Sequence, residues 1–291
     1  MSANNSTVWM ITGAGRGLGA AIAAAALGAG DRVVATARDP HRIEEALGGP
    51  TERLLAVRLD VTRELQAAEA VAAACKRFGR IDVLVNNAGY GLLGALEECS
   101  AEEVERQFRT NVFGLLSVTR AVLPIMRAQR SGHVINLSSM AGYQGWAGAS
   151  AYCASKFAVE GLSESLALEL APFGIHVTIV QPGHFRTEFL ADNSITFAAR
   201  TIADYDTTVG VQRQRISDHS GKQAGDPTKL GRAVRKIAHT ENPPLRLPLG
   251  ADAVKVVEHE TSAVLRDLWR WRPLSTSTDF DGQEGPFDSR P

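Results

Sequence analysis

The chain has 291 residues, of which 44% are hydrophobic and 22% charged, and its formal net charge is -1. This length and composition allow a sizeable core within one α/β domain. The balanced charge offers no basic excess for nucleic acid, and no apolar run reaches the roughly 18 residues that cross a membrane. The three cysteines, Cys75, Cys99 and Cys153, form no CxxC pair, so neither a metal site nor a disulfide framework is predicted.

Short apolar segments alternate with helical patterns along most of the chain. Buried strands are predicted at 8–12, 32–37, 54–59, 83–86, 133–137 and 176–181. Helices are predicted between them, at about 17–29, 63–79, 100–129 and 152–172. This alternation predicts a parallel sheet covered on both faces, a three-layer doubly wound α/β fold.

The alternation ends after Thr187. Residues 188–225 carry no strand signal and mix apolar with polar side chains, among them Phe189 and Leu190. Because long structureless loops are uncommon in compact domains, this segment is interpreted as a helical substrate lid. A plain surface insertion is the alternative.

The remaining residues complete the predicted domain. A helix at 227–240, a strand at 245–247 and a helix at 252–268 follow the lid. One domain is therefore predicted over residues 1–272. Residues 273–291 are polar and rich in Gly, Ser, Thr and Pro, which predicts a mobile tail.

A glycine-rich loop, TGAGRGLG, joins the first strand to the first helix. Glycines let the backbone turn tightly and approach a pyrophosphate, and the helix start adds free N–H groups and a positive dipole end. The spacing is TGxxxGxG, since Leu18 occupies the last glycine position of GxGxxG. The loop predicts a dinucleotide phosphate site formed by Gly13, Gly15, Arg16, Gly17, Leu18 and Gly19.

Tyr152 and Lys156 lie four residues apart, on one face of a predicted helix. A phenol has a pKa near ~10, and a neighbouring ammonium group lowers it. Tyr152 is therefore a candidate for proton exchange with a substrate oxygen. The strand HVINL runs into Ser138 and Ser139 shortly before this helix, so a serine hydroxyl is expected near the same oxygen; Ser138 is interpreted as structural.

These motifs together resemble those of the short-chain dehydrogenase/reductase family, over roughly residues 7–187. The glycine loop matches the family's cofactor loop, and Asp60-Val61 resembles the segment that meets the adenine. Asn86 opens the family's NNAG motif, whose Asn87, Ala88 and Gly89 would shape the cofactor cleft.

Later motifs fall in the family's order too. Asn111 in TNVFG resembles the asparagine that holds a water in the proton relay, and Ser139 the catalytic serine. Pro182-Gly183 and Thr187 resemble the segment beside the nicotinamide carboxamide; a helix N-cap is another role for Thr187.

The resemblance implies a Rossmann fold and an oxidoreductase that interconverts a small-molecule carbonyl and alcohol with a nicotinamide cofactor. Ser139 and Tyr152 would hold the carbonyl oxygen. Lys156 would hold the ribose hydroxyls and lower the pKa of Tyr152, while Asn111 would connect the site to solvent. A homo-oligomer, dimer or tetramer, is also implied.

Two other classes compete with this hypothesis. An epimerase or dehydratase of the extended branch of the family usually has a TGxxGxxG loop, which would require glycine at Arg16. A cofactor-sensing protein without turnover commonly lacks the tyrosine or the lysine, and both are present here.

The cofactor predicted is NADP(H), with NAD(H) as a possible substitute. An acidic residue at the end of the second strand would bind the ribose hydroxyls and repel a 2′-phosphate. Ala37 occupies this position, and Arg38 and Arg16 offer charged donors to phosphate. Asp39 complicates the argument if it turns inward.

The substrate is expected to be hydrophobic. Tyr90, Tyr143 and Trp146 flank the motifs expected to border the nicotinamide, and His184 follows the Pro-Gly turn closely enough to touch a substrate. The N-terminus lacks the pattern of a secretion signal, so a cytoplasmic location is predicted, with neither membrane nor nucleic acid as a partner.

Overall fold

The computed structural model describes residues 6–49, 51–187, 194–219 and 221–280, with the backbone alone at 217 and 219. The strands there are β1 (Val8–Thr12), β2 (Arg32–Ala37), β3 (Leu54–Arg58), β4 (Val83–Asn86), β5 (Gly91–Leu93), β6 (Gly132–Leu137), β7 (Ile175–Pro182), β8 (Ile195–Phe197) and β9 (Arg246–Leu249). The α-helices are α1 (Gly17–Gly28), α2 (His41–Leu47), α3 (Glu64–Phe78), α4 (Ala101–Phe108), α5 (Leu115–Gln129), α6 (Ser150–Leu170), α7 (Val211–His219), α8 (Pro227–Ala238) and α9 (Ala251–Thr276).

Seven of these strands form one parallel sheet, in the order β3-β2-β1-β4-β6-β7-β9. The strand order reverses between β1 and β4. Doubly wound sheets bind ligands beyond the carboxyl ends of the strands at such a point. The predicted three-layer fold is confirmed, and the switch point places the cofactor region between the ends of β1 and β4.

Two hydrophobic clusters cover the two faces of the sheet. Met10 belongs to the cluster that includes α3 and α5, whereas Trp9 and Ile11 belong to the cluster that includes α1 and α8. Successive residues of a strand point to opposite faces, so β1 is buried at every position and is apolar from Val8 to Ile11. This explains why the sheet strands appear in the sequence as continuous apolar runs.

The helix predicted over 100–129 is not continuous. A π-helical turn, Arg109–Gly114, separates α4 from α5. The extra residue in this turn brings Gly114 against Val61, where a Cβ would come within 2.6 Å of the valine side chain. Tertiary packing therefore overrides the regular helical period, and π turns occur frequently at functional sites.

The short helix α2 has no counterpart in the predicted elements. Its start was marked in the sequence by Asp39, whose carboxylate accepts the N–H of His41 at 3.1 Å, and by Pro40. Gly48, with a φ of 78°, ends it. Acid-proline before a helix and glycine after it are recognised helix boundary signals, and here they flank only seven residues.

The segment predicted as a helical lid contains a strand. β8 pairs in parallel with β5, forming a two-stranded sheet apart from the main one. A three-residue strand is too short to show an alternating pattern, so only its partner reveals it. Short helical turns at Ala203–Tyr205 and Asp206–Gly210 then lead into α7. Residues 188–193, which include Phe189 and Leu190, lie outside the described residues, as does residue 220.

The last helix is longer than predicted. α9 continues to Thr276, past Pro273, where the tail was expected to begin. A proline so close to the helix end removes only one backbone N–H donor, and side-chain hydroxyls add bonds to carbonyls of the last turns: Thr276 Oγ1 donates to the Arg272 carbonyl at 3.0 Å. Residues 281–291 of the predicted tail lie outside the described residues. No described helix is long and apolar enough to cross a membrane.

Candidate active site

A cleft of about 2160 Å³ opens along the carboxyl ends of the sheet strands. Small-ligand pockets usually measure ~300–1,000 Å³, so this cleft has room for a dinucleotide and a substrate. The predicted site residues that line it are Gly13, Gly15, Arg16, Gly17, Leu18, Arg38, Asp60, Val61, Asn87, Ala88, Gly89, Ser139, Tyr152, Lys156, Pro182, Gly183 and Thr187. Gly19 and Asn111 are absent from this lining and lie behind it.

The glycine loop is fixed to the end of the neighbouring strand. Asn87 Nδ2 donates to the carbonyls of Thr12 and Gly13 at 2.9 and 3.1 Å, and Thr12 Oγ1 accepts the N–H groups of Asn87 and Ala88 at 3.0 Å. Gly13 has a φ of 66°, a conformation that favours glycine. A side chain at Gly19 would collide with the Gly13 carbonyl, so Gly19 serves packing. The loop is thus a fixed backbone cradle that fits a pyrophosphate.

Ser139, Tyr152 and Lys156 come together on the floor of the cleft. The Ser139 side chain is hydrogen-bonded to Tyr152, and it also accepts the N–H of Ala141 at 3.1 Å. Lys156 Nζ lies 5.8 Å from the centroid of the Tyr152 ring and donates to the Leu137 carbonyl at 2.7 Å. The i, i+4 spacing on α6 therefore places the phenol and the ammonium side by side, as predicted.

The expected lowering of the Tyr152 pKa is not observed. Burial raises the pKa of Tyr152 to about 12, and the Ser139 hydrogen bond opposes this rise. Burial also lowers the pKa of Lys156 to about 8, against the charge of Glu160, which raises it. The sequence places the two groups together but says nothing of burial, which dominates both shifts. Tyr152 is therefore protonated at neutral pH and fits the role of a proton donor.

Asn111 lies in the π turn and is 2% exposed. Its Nδ2 donates to the Tyr90 carbonyl at 2.9 Å and to Ser155 Oγ at 3.2 Å, and its Oδ1 accepts the Tyr90 N–H at 3.1 Å. Both ends of the amide are thus engaged with the protein. The side chain supports the loop after β4 from behind the cleft wall, rather than facing the cleft.

The carboxyl end of β7 forms the opposite border of the cleft. Gly183 approaches Asp252 at the start of α9 so closely that no Cβ would fit. Asp252 also accepts bonds from His184, through the backbone N–H at 2.7 Å and Nδ1 at 3.0 Å. Thr187 lies near Gly17, across the glycine loop. His184 lines the cleft, but its ring is oriented by a carboxylate that the sequence analysis did not identify.

The residues expected to select the cofactor lie where β2 ends. Arg38 is exposed and lines the cleft, and the Asp39 carboxylate bonds the His41 N–H at the start of α2. Arg42, which the sequence analysis missed, packs its Cβ where a side chain at Gly15 would lie. Arg16 instead donates to Ser194 Oγ at 2.8 Å, and so connects the glycine loop to the segment before β8.

An apolar wall surrounds Tyr152. It consists of a buried cluster and the side chains packed against it: Leu93, Ala141, Trp146, Ala149, Tyr152, Cys153, Ile195 and Ile216. Trp146 and Tyr90 line the cleft, as expected, but Tyr143 does not; its hydroxyl bonds Thr261 of α9 at 2.8 Å. The expectation that Tyr143 belongs to the pocket is therefore wrong, because the turn after Ser139 directs this ring towards α9.

Comparison with known proteins agrees with this site. The family model described as short chain dehydrogenase matches residues 7–196, and the chain belongs to that family. Oxidoreductase BOA17 of Botryotinia fuckeliana is 40% identical over 273 residues, 93% of this chain and 98% of its own. A 3-ketodihydrosphingosine reductase of Bacteroides thetaiotaomicron is 42% identical, over 83% of this chain and 87% of its own.

Solved structures show the same likeness. A short-chain dehydrogenase from Streptomyces avermitilis superposes with a TM-score of 0.89 and 43% identity, covering 95% of this chain and all of its own. A member from Burkholderia phymatum in complex with NAD has a TM-score of 0.77, 26% identity and coverage of 91% and 97%. ElxO with NADP bound has a TM-score of 0.71, 28% identity and coverage of 86% and 99%. The family and these neighbours support a nicotinamide-dependent oxidoreductase.

Proposed function

We propose that the protein is an NADP(H)-dependent oxidoreductase that interconverts a ketone or aldehyde with an alcohol, with Tyr152 as the proton donor and acceptor. The observation that carries this proposal is the grouping of Ser139, Tyr152 and Lys156 on the cleft floor. A nicotinamide bound beside Pro182-Gly183 would supply the hydride.

The roles of the protein groups follow from their geometry. Ser139 and Tyr152 share a hydrogen bond, so both hydroxyls point to one place, where a substrate oxygen fits. Tyr152, protonated at neutral pH, donates its proton as the carbonyl oxygen becomes an alcohol. Lys156, anchored by the Leu137 carbonyl, would hold the ribose hydroxyls with its remaining N–H groups, and its charge would favour the phenolate that forms.

Selection of NADP(H) rests on the end of β2. Ala37 carries no carboxylate to repel a 2′-phosphate, and Arg38 lies free of ion pairs to any described carboxylate. One oxygen of the Asp39 carboxylate accepts the His41 N–H at the start of α2, which holds this exposed side chain towards the helix although it also lines the cleft. Arg42 adds a second cationic side chain to this part of the lining. Arg16, bonded to Ser194, contributes less than the sequence suggested.

The substrate proposed is a hydrophobic ketone or aldehyde. The wall around Tyr152 is apolar, and Trp146 supplies an aromatic surface beside it. The named activity of the Bacteroides relative, reduction of 3-ketodihydrosphingosine, supports a substrate that carries an apolar chain. Segment 194–216 closes this side of the pocket, which is how we interpret the predicted lid.

Assembly as a homo-oligomer is proposed from the exposed face of α6. Phe157 and Leu168 are 47% and 62% exposed, and they share this face with Gly161. Pairing of this face with its copy across a two-fold axis would bury these exposed apolar side chains. A monomeric mass in analytical ultracentrifugation would contradict this assignment.

Substitution of the proposed proton donor tests the function. Tyr152→Phe keeps the ring and removes the hydroxyl, so turnover should fall by at least ~100-fold while NADPH still binds. Tyr143→Phe is the matched control, since its hydroxyl bonds Thr261 at 2.8 Å and its side chain does not line the cleft. The assay follows NADPH oxidation with steroid, quinone, acyl-thioester and aromatic ketones. Near-normal turnover by Tyr152→Phe would reject the mechanism, and no turnover of any carbonyl by the wild type would favour a cofactor sensor.

A further inference from the structure

A buried carboxylate lies one helical turn beyond Lys156. Glu160 is 5% exposed, and both of its oxygens are bonded: Oε1 accepts Gln181 Nε2 at 3.0 Å, and Oε2 accepts Arg246 Nε at 2.9 Å. Burying a charge is costly unless it is paired and hydrogen-bonded. The Glu160 carboxylate lies beneath the active site, and its partners on two strands supply the pairing that its burial requires.

Arg246 connects this carboxylate to the edge of the sheet. It lies on β9 opposite Ile179 of β7, and its Nη1 donates to Glu164 at 2.9 Å. Arg246 thus binds Glu160 and Glu164, on two successive turns of α6. Gln181 binds the same helix from β7. The helix that carries Tyr152 and Lys156 is fixed in register by this group.

Glu160 also acts on Lys156 electrostatically. Side chains four residues apart on a helix are neighbours and lean towards its N-terminus, so Glu160 leans towards the turn of Lys156. Burial lowers the pKa of Lys156, and the Glu160 charge is the contribution that raises it. Without that charge the lysine would be neutral over more of the physiological pH range.

The other groups around Lys156 do not duplicate this effect. Tyr152 on the same helix is protonated at neutral pH. Asn111, Gln181 and the Leu137 carbonyl are neutral. Across the cleft, the Asp252 carboxylate is engaged by His184, and Arg246 and Glu164 complete the group on the sheet side.

We propose that Glu160, held by Gln181 and Arg246, is a positioning residue that keeps Lys156 charged and directed into the cofactor cleft. This inference rests on the proposed function, in which the Lys156 ammonium binds the ribose and assists Tyr152. Glu160 contacts neither the ribose nor Tyr152 in this proposal, and it acts entirely through Lys156.

The test measures the Kd for NADPH from about pH 7 to about pH 9, where the cofactor phosphate stays ionised. In the wild type, affinity should weaken as Lys156 loses its proton near pH 8. Glu160→Gln removes the negative charge and leaves Arg246 less compensated, and both changes favour neutral lysine. The ratio of Kd at the high pH to Kd at the low pH should therefore rise at least ~3-fold above the wild-type ratio, a change of about half a pKa unit.

Two further variants separate electrostatics from damage to the helix. Arg246→Met removes the opposite charge, so Glu160 should hold the lysine proton more strongly and the Kd ratio should fall below that of the wild type. Glu164→Gln removes a charge from the same arginine, but its half-exposed side chain lies two turns from Lys156, so the ratio should rise much less than in Glu160→Gln. The proposal requires that the Kd ratio rises in Glu160→Gln and falls in Arg246→Met. A rise of the ratio in both variants would mean that Glu160 has only a structural role.

Failure of this inference can be told from failure of the proposed function. One outcome is that the wild type loses NADPH affinity near pH 8 while Glu160→Gln and Arg246→Met leave the pH of this loss unchanged. In that case the positioning role of Glu160 is wrong and the mechanism stands. If Tyr152→Phe retains turnover, the mechanism itself falls. If Glu160→Gln does not fold, Arg246→Met alone still tests the proposal, because the Kd ratio must fall below that of the wild type.

Discussion

The cofactor cradle and the substrate wall are built in different ways. The cradle consists of the backbone of the loop between β1 and α1. Hydrogen bonds from the Asn87 side chain fix this loop to the end of β4. Segment 194–216 is the part of the substrate wall that contributes Ile195 and Ile216 to the apolar cluster around Tyr152. It is attached by side chains about a hundred residues distant: Glu103 accepts the N–H of Ala199 at 3.1 Å, and Glu98 that of Ile202 at 2.9 Å. The loop that fits a pyrophosphate is a local motif, whereas the substrate pocket depends on long-range bonds.

The buried carboxylate of Glu98 is the centre of that attachment. Its side chain is 1% exposed, and it accepts bonds from Ala95, Ile202 and Arg213. These bonds keep its pKa below the usual value although burial raises it. Glu97 and Glu103 add single bonds nearby, to Tyr205 and Ala199. The wall is therefore fixed at its middle rather than free to swing as a whole.

The largest expected effect concerns the cofactor side of the cleft, at the end of β2 beside the cradle. In Ala37→Asp/Arg38→Leu a carboxylate replaces the charged donor beside the ribose, so preference should reverse from NADPH to NADH. Charge-assisted bonds are worth about 1.5–3 kcal/mol each, which predicts a change of at least ~100-fold in the ratio of kcat/KM values. Arg53→Leu, an exposed arginine outside the cleft, serves as the control. Equal use of both cofactors by the wild type would refute the NADPH assignment.

A smaller effect is expected at the wall. Glu98→Gln leaves Arg213 without its charged partner and weakens the attachment of α7, so KM for a hydrophobic ketone should rise ~10-fold. The Kd for NADPH should change less than ~2-fold, because the cradle has its own bonds. Glu97→Gln, which alters an exposed carboxylate with one bond to Tyr205, is the matched control. A parallel loss of NADPH affinity in Glu98→Gln would show that the two regions are not independent.

The smallest effect distinguishes two aromatic residues in the turn before α6. Trp146→Phe removes part of the apolar surface that lines the cleft, so KM for a ring-bearing ketone should rise ~3-fold. Tyr143→Phe loses only the bond to Thr261, and its kinetic constants should match those of the wild type. Steady-state kinetics with one ketone compare both variants. A larger change for Tyr143→Phe than for Trp146→Phe would contradict the placement of these rings.

Much of the cradle could be predicted because its signals are contiguous. Strand, glycine loop and helix follow each other within Val8–Gly28, and Tyr152 and Lys156 are separated by one helical turn. The wall offered no such signal. β5 and β8 are three residues each, and they become strands only when paired with each other. The π turn that contains Asn111 likewise packs through Gly114 against Val61, which is 53 residues away in sequence.

The sequence by itself determined the order of the sheet strands and of the long helices between them, the phosphate loop and the pairing of phenol with ammonium, since each depends on neighbours within a few residues of chain. Only the tertiary structure decided which strands adjoin, that Asn111 and Tyr143 lie outside the cleft lining, and that Glu160 meets Arg246 from the edge strand. It also reversed the expected direction of the Tyr152 pKa. Burial and distant partners set these properties, and neither exists before the chain has folded.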